Sequence, residues 1–182
     1  MSYISTGVEY ALHCLLFLID QPDGATPPST RDLAVLQGVS ADYLAKLFTR
    51  LQQADLIVSR EGAMGGVRLA RAAADISVLD VVVAIDGDRA FFDCQEIRGR
   101  CALFGDAPPA WATRGTCSIH AVMIEAERKA KAALAAHSLA DIAGRVAANA
   151  PVELGTMAAQ WLSDRAARRK PGRPTRPLDK QE

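Results

Sequence analysis

Apolar residues recur every three or four positions through the first third of the chain, a spacing that predicts amphipathic helices. The stripes run over residues 5 to 20, from 29 or 30 to 37, and from 41 to 54. Gly38-Val39-Ser40 makes a tight turn before the last of these helices, with Ser40 in the position of an N-terminal cap. Two short helices joined by a glycine-containing turn are typical of a helix-turn-helix.

The segment after these helices has the pattern of a β-hairpin. Leu56 to Arg60 is strand-like, residues 61 to 66 form a glycine-rich turn, and Val67 to Leu69 make the returning strand. Glycine permits backbone conformations and close approaches that other residues resist. A hairpin in this place is the wing of a winged helix-turn-helix, so we assign residues 1 to 75 to a DNA-binding domain.

Helical periodicity returns in the second half of the chain, after an irregular stretch. Ser77 caps a helix that continues through Ile85, whereas glycine and proline interrupt every candidate element between residues 88 and 116. A long helix is predicted from 117 to about 137, and its alanine-rich stripe would let another helix approach closely, as in a dimer interface. Further helices are predicted from 138 to about 149 and from about 152 to 165.

These elements predict a mostly α fold with a small β-wing, in which a winged helix-turn-helix DNA-binding domain precedes a long dimerisation helix. We expect residues 76 to 116 to form a linking helix and a cysteine-bearing loop. Residues 117 to 163 would hold the dimerisation helix and the C-terminal helices, and residues 164 to 182 a basic, disordered tail.

Composition is that of a globular protein, and the charge is unevenly distributed. Apolar residues make up 49%, and no run approaches the roughly 18 uninterrupted apolar residues of a membrane span. The first residues lack the basic region and cleavage site of a signal peptide, so we expect a cytoplasmic protein without a membrane partner. The formal net charge is +0, but residues 164 to 182 hold seven basic and three acidic residues, a surplus of four.

A second basic surface is predicted around the third helix and the wing, where double-stranded DNA is the expected partner. The side chains expected at the major groove and its phosphates are Ser40, Tyr43, Lys46 and Arg50. The groups expected at the adjacent backbone or minor groove are Arg60, Arg68 and the backbone of Gly65 and Gly66. In the tail, residues 169 to 174 resemble an AT-hook, which lays arginine into a narrow minor groove; a solvated basic tail is the other interpretation.

The cysteines predict a soft-metal site. Cys94, Cys101 and Cys117 fall in the irregular stretch or directly after it, in a chain expected to keep its thiols reduced. Cys14 lies in an apolar helical run and is expected to pack as a small hydrophobe. Thiolates suit iron–sulfur clusters and zinc, and three of them need one further donor.

Two places in the sequence offer that further donor. His120 lies three residues after Cys117 at the start of a predicted helix, so both side chains share a face. Glu9 and His13 are spaced four apart on the first helix, a spacing that also suits an exposed salt-bridge pair. Mixed nitrogen and oxygen ligation would favour a two-iron cluster (2Fe-2S) over a four-iron cluster (4Fe-4S).

Together these motifs resemble the Rrf-type winged-helix regulators, a family with IscR-, NsrR- and RirA-like branches. The matching stretches are Tyr10-Ala11-Leu12, Gly38 to Leu44, Leu47 to Leu51, Gly65 to Ala70 and Cys117 to His120, within a resemblance that covers about residues 3 to 150. It implies a homodimer on a palindromic DNA operator and, in many members, an iron–sulfur cluster that tunes binding. It also implies that a carboxylate at the position of Glu9 is a cluster ligand in one branch. In another branch a glutamate and a histidine with the spacing of Glu9 and His13 join two cysteines of the partner subunit.

The chain departs from the family pattern in two places. Its cysteines are separated by six and then by fifteen intervening residues, which is wider than the family's usual spacing. Glu61 occupies the wing position where an arginine is usual. The first departure bears on which residues ligate a cluster, and the second bears on the minor-groove contact.

Other functions stay open at the level of sequence. The same thiols are compatible with zinc, or with a cluster-free switch in which they are oxidised directly. A metal-free repressor controlled by an effector or a protein partner is a further alternative. An iron–sulfur electron carrier is more distant, because it has no use for a basic wing. The sequence holds no glycine-rich phosphate loop, nucleophile elbow or paired acidic site, so it does not predict an enzyme.

Overall fold

Helices and a short hairpin make up the regular structure of the described part of the chain. The computed structural model describes residues 3–19, 21, 26–60 and 65–168. In chain order the elements are α1 (Thr6–Leu16), α2 (Thr30–Gln37), α3 (Ala41–Gln53), β1 (Ile57–Arg60), β2 (Gly66–Leu69), α4 (Val78–Asp86), α5 (Ala110–Thr113), α6 (Ser118–Ala135), α7 (Leu139–Asn149) and α8 (Glu153–Ala167). This architecture confirms the predicted fold class, mostly α with a small β-wing.

Serine caps begin helices at the positions that the sequence predicted. Ser29, Ser77 and Ser138 each accept a hydrogen bond from the backbone N–H three residues on, at 3.1 Å in every case. The aspartate at that third position accepts the backbone N–H of the serine in return, which completes a capping box. Ser40 caps α3 without a box, through the N–H of Tyr43. Such a cap stabilises a helix by about 1 kcal/mol.

The hydrophobic core forms where α1, α3 and α4 pack on one another. The stripe predicted for α3 is buried in this core, through Leu44, Leu47, Phe48 and Leu51. Leu15 of α1 and Val81 of α4 are fully buried beside it. Each aliphatic side chain removed from water contributes roughly 1.5–3 kcal/mol, so α3 is held by its apolar face and leaves its polar face outward.

The wing is a pair of antiparallel strands, β1 and β2, whose register places Ile57 opposite Leu69 and Arg60 opposite Gly66. Its second strand is also tied to the segment before α2, because the N–H of Val67 donates a 2.9 Å hydrogen bond to the carbonyl of Pro28. The two chains approach closely at this point: a Cβ added at Gly66 would lie 2.4 Å from the carbonyl oxygen of Pro27. Only glycine fits there.

The structure corrects the element boundaries at the end of α1, in the stretch from 88 to 116 and at the start of the predicted disordered tail, where residues 164 to 167 belong to α8. α1 ends at Leu16, short of the predicted residue 20, because the N–H groups of Phe17 and Leu18 bond to carbonyls three residues back. The stretch from 88 to 116, predicted as irregular throughout, holds α5 and short 3-10 turns at Ile97–Arg100 and Ala102–Phe104. The predicted AT-hook, at 169 to 174, lies outside the described residues.

Candidate DNA interface and cysteine site

The polar face of α3 is exposed as the sequence predicted. Ser40, Lys46 and Arg50 are exposed, and Tyr43 keeps 38% of its surface in solvent. The ring of Tyr43 meets the ring of Tyr10 edge to face, with centroids 6.0 Å apart, which fixes its direction. These side chains therefore lie on one accessible surface, and their contact with DNA stays a prediction.

Arg50 has a structural contact that sequence reasoning missed. Its Nη1 donates a 2.5 Å hydrogen bond to the carbonyl oxygen of Ile85, in the last turn of α4. Carbonyls at a helix C-terminus lack partners within the helix, and a guanidinium is a favourable partner for them. One residue of the predicted DNA surface is thus also a link between α3 and α4.

The two wing arginines share one face of the hairpin. Side chains alternate along a strand, and the register pairs Val58 with Arg68 and Arg60 with Gly66, so all four positions project to the same side. Arg60 and Arg68 are exposed, whereas Ile57 and Val67 on the other side are buried. The wing tip, residues 61 to 64, lies outside the described residues.

Cys14 differs from the other cysteines in its surroundings. It is completely buried in the core, and burial raises the pKa of its thiol from 9.0 to about 12. The packing expectation for this residue is confirmed. Cys94, Cys101 and Cys117 are half-buried free thiols.

The three loop cysteines are only partly brought together. Arg98 donates to the carbonyl of Gly115 at 2.8 Å and pairs with the carboxylate of Glu96. That pairing is the main cause of the raised pKa of Arg98. The bond to Gly115 brings the segment after Cys94 to the residues just before Cys117. Cys101 begins the turn at Ala102–Phe104. Within the described part of the chain, no three His, Cys, Asp or Glu side chains are grouped closely enough to hold a metal ion.

The predicted additional donors occupy two separate places. His120 lies in the first turn of α6, with its ring 5.9 Å from that of Phe92. It also contributes to the lowered pKa of Glu96, although the hydrogen bond from Arg98 is the larger cause. Glu9 and His13 are exposed on α1 and line a groove with apolar side chains of α4, α6 and α7.

The first residues of the cysteine-bearing loop, directly after α4, are bonded to α6. The backbone N–H of Phe91 donates a 3.0 Å hydrogen bond to the Glu127 carboxylate. Lys131 pairs with both Asp88 and Glu127, and the hydrogen bond to Asp88 is the first cause of its raised pKa. The hydroxyl of Tyr3 reaches the same segment, through the carbonyl of Arg89 at 2.7 Å.

α6 carries an apolar face that is exposed. None of its residues is buried, and Ile119 and Val122 expose 64% and 63% of their surface. Met123 and Ile124 are exposed beside them. No helix in the described part of the chain is both long and apolar enough to span a bilayer.

Comparison with known proteins identifies the family. Residues 4–145 match the family model of Rrf2, described as an iron-dependent transcriptional regulator. The chain belongs to the Rrf2 family. The resemblance noted in the sequence is therefore confirmed, and this Rrf2-family chain is a transcriptional regulator and not an enzyme.

Named relatives agree with this assignment. The chain is 31% identical over 147 residues to the HTH-type transcriptional repressor NsrR of Streptomyces coelicolor, covering 81% of this chain and 90% of that protein. It is 44% identical over 75 residues to protein rrf2 of Nitratidesulfovibrio vulgaris, an alignment that covers 41% of this chain and only half, 50%, of that relative.

Solved structures support the winged-helix fold. CymR, the global cysteine regulator of B. subtilis, superposes with a TM-score of 0.61 at 23% identity, over 80% of this chain and 98% of that one. T. potens IscR gives 0.59 at 22% identity, over 82% and 93%. At these identities the likeness concerns the fold alone.

Proposed function

We propose that this Rrf2-family protein is a homodimeric repressor that binds a palindromic double-stranded operator. The observation that carries the proposal is the shared exposure of Lys46 on α3 and of Arg60 and Arg68 on one face of the wing. A winged helix binds DNA through side chains of its recognition helix, which enter the major groove, and through arginines of the wing, which contact the flanking backbone.

The dimer is proposed on the exposed apolar face of α6. Contiguous apolar surface of this kind marks interaction sites, and Ile119, Val122 and Met123 form it here. A two-fold interface would present two recognition helices to two half-sites, which is why a palindrome is the expected operator.

Selection of operators from a random duplex library tests the DNA proposal. The wild-type protein should enrich a palindrome, and Lys46→Ala with Arg68→Ala should weaken binding to that duplex and flatten its salt dependence. Arg89→Ala with Arg145→Ala is the matched control pair, since both arginines are exposed and lie outside α3 and the wing. If no palindrome is enriched, or if both pairs bind alike, the proposal fails.

For the signal, we propose an iron–sulfur cluster, with 2Fe-2S favoured over 4Fe-4S. Cys94, Cys101 and Cys117 would hold it, with the remaining position filled by His120 or by Glu9 or His13 of the partner subunit. The donor chemistry fits, because these are free thiols, Cys117 lies three residues before His120, and the family description names iron. A bound cluster would supply an iron centre responsive to oxidants, iron supply or nitric oxide.

The residues of the chain explain how such a site would affect DNA binding. Gathering Cys101 with Cys94 and Cys117 requires the loop to move, and that loop is fastened to α6 by Glu127 and Lys131. The loop also follows directly after α4, to which α3 is bonded. Ligation would therefore favour one arrangement of the dimer helix and recognition helix over another, and unequal stability of the two forms is what regulation needs.

Visible absorption and iron content of the anaerobically purified protein test the cluster. Charge-transfer bands with iron bound would support it. A colourless, iron-free protein that stays iron-free after anaerobic reconstitution would overturn it.

A cluster-free thiol switch is the second candidate, supported by the hydrogen bond from Arg98 to the carbonyl of Gly115, which brings the segments of Cys94 and Cys117 together. Free thiols that reach solvent are the class that peroxide oxidises. Two thiols and one hydrogen peroxide would give a disulfide and two waters, with the sulfurs oxidised and the peroxide reduced. Intact mass of the metal-free protein after peroxide treatment would then fall by two hydrogens, and mapping would place the bond between Cys94 and Cys117.

A further inference from the structure

The C-terminal helix α8 lies beyond the family match, which ends at residue 145, yet it is docked on the helix-turn-helix. Leu162 and Ala166 of α8 are buried. Arg165 fixes the position of α8 on the helix-turn-helix, because its Nε donates a 3.1 Å hydrogen bond to Oδ1 of Asp32. Its guanidinium also lies 4.9 Å from the centre of the Trp161 ring in the same helix.

Asp32, the partner of Arg165, is a buried carboxylate that also belongs to the capping box of α2. It is 5% exposed, and its other oxygen, Oδ2, accepts the N–H and hydroxyl of Ser29 in the capping box of α2. Burying a carboxylate is costly unless it is paired and hydrogen-bonded. Arg165 supplies a positive charge to this carboxylate, and the contact holds α8 at the start of α2.

The docking creates a basic groove beside the wing. The groove is open, about 520 Å³ in volume, and is lined by Ser29, Arg31, Asp32, Arg165 and Arg168, three guanidinium groups against one carboxylate. Arg31 and Arg168 are exposed. The wing is adjacent, because strand β2 bonds to Pro28, the residue directly before Ser29.

We propose that Arg31 and Arg168 bind the phosphate backbone of the operator on the outer side of the wing, so that α8 is an added DNA-binding element of this chain. The proposal rests on the DNA-binding function proposed above. Charge complementarity favours DNA over other partners, as does the position of the groove next to strand β2 of the wing. The sequence after Arg168 is basic as well, with five basic and two acidic residues from 169 to 182.

The test measures the salt dependence of binding by the full chain to the selected operator and to a random-sequence 30-bp duplex. The variants are Arg31→Ala/Arg168→Ala, the charge-retaining Arg31→Lys/Arg168→Lys, and the control pair Arg89→Ala/Arg145→Ala. Each neutralised phosphate contributes about 0.9 to the slope of log affinity against log salt, so losing two contacts should flatten it by about 1.8 per protomer.

We expect the alanine pair to flatten the slope on both duplexes, while the lysine pair and the control pair keep the wild-type slope. If the alanine pair keeps the wild-type slope, or if the control pair flattens it equally, the groove has no DNA role. Binding of an acidic protein in place of DNA would show as an unchanged DNA slope and would also overturn the proposal. Failure of the DNA function itself is distinguishable, since Lys46→Ala/Arg68→Ala would then bind like wild type too.

Discussion

Nη1 of Arg50 donates a hydrogen bond to the carbonyl oxygen of Ile85, so α3, the predicted recognition helix, is bonded to the last turn of α4. The residue after α4 is Gly87, and the cysteine-bearing stretch begins at residue 88. A displacement of the loop that pulled on the end of α4 would therefore reach the guanidinium of Arg50 directly. This contact is a physical connection between the cysteine region and the predicted DNA surface.

The first prediction concerns the stability of this link. Arg50→Met should lower the free energy of unfolding by about 1 kcal/mol, because it leaves the Ile85 carbonyl without this donor. Lys46→Met is the matched control, since Lys46 is exposed on the same helix and should change stability by less than about 0.5 kcal/mol. Urea unfolding followed by circular dichroism measures both. Equal midpoints for the two variants would contradict a structural role for Arg50.

The second prediction concerns the close approach between the wing and the segment before α2. Gly66→Ala should lower the free energy of unfolding by about 1–3 kcal/mol, because its Cβ would meet the Pro27 carbonyl at 2.4 Å. Gly144→Ala is the control: it has open space around its Cβ in α7 and should raise stability by about 0.5–1 kcal/mol. Thermal unfolding should give a midpoint below that of the wild type for Gly66→Ala and above it for Gly144→Ala. A Gly66→Ala protein as stable as wild type would contradict the packing argument.

Arg50 and Gly66 also show which features of the fold could be predicted from the sequence. Helix starts were predictable because a capping serine and its aspartate are three residues apart, as with Ser77 and Asp80. The buried stripe of α3 was predictable for the same reason, since helical spacing is local. Gly66 was expected to meet DNA, and its packing against Pro27 could not be predicted because that contact depends on tertiary structure. The Arg50 and Arg165 contacts join residues 35 and 133 positions apart, and no periodicity encodes them.

The cysteine region was the least predictable part of the chain. Residue types indicated a soft-metal site. Nothing in the spacing said that a hydrogen bond from Arg98 to Gly115 would join the segments of Cys94 and Cys117 while Cys101 begins a separate turn. Glycine and proline interrupt the periodic patterns between 88 and 116, so the geometry there depends on long-range contacts such as that of Phe91 with Glu127.

The third prediction concerns thiol reactivity. In metal-free protein at pH 8.5, iodoacetamide should modify Cys94, Cys101 and Cys117 and spare Cys14, whose thiol stays protonated because its pKa is about 12. Mass spectrometry of peptides measures this, and the unfolded protein in urea is the control in which all four should react. The folded state holds the Cys14 proton more tightly, so stability should fall as pH rises from about 9 through about 12. Modification of Cys14 at the rate of the other thiols would contradict its burial.

The fourth prediction concerns the hold of α8 on the helix-turn-helix. Arg165→Met should lower stability by about 1–2 kcal/mol, less than the loss of a fully buried pair because Arg165 is partly solvated. Amide hydrogen exchange should rise in α8 and at the start of α2, with little change in α6. Arg145→Met, an exposed arginine on α7, is the control. Unchanged exchange in α8 would show that Asp32 does not need this partner.

The last prediction concerns the ligands of the proposed cluster. Alanine substitutions of Cys94, Cys101 and Cys117 should each lower the iron content after anaerobic reconstitution, while Cys14→Ala should keep it because Cys14 is buried in the core. His120→Ala and the pair Glu9→Ala/His13→Ala then distinguish the remaining donor, since only the true ligand should shift the visible bands. A normal spectrum in Cys94→Ala alone would indicate two cysteines completed by Glu9 and His13. Full iron and wild-type spectra in all three loop-cysteine variants would overturn the cluster, and the thiol switch would then be tested by the mass of the peroxide-treated protein.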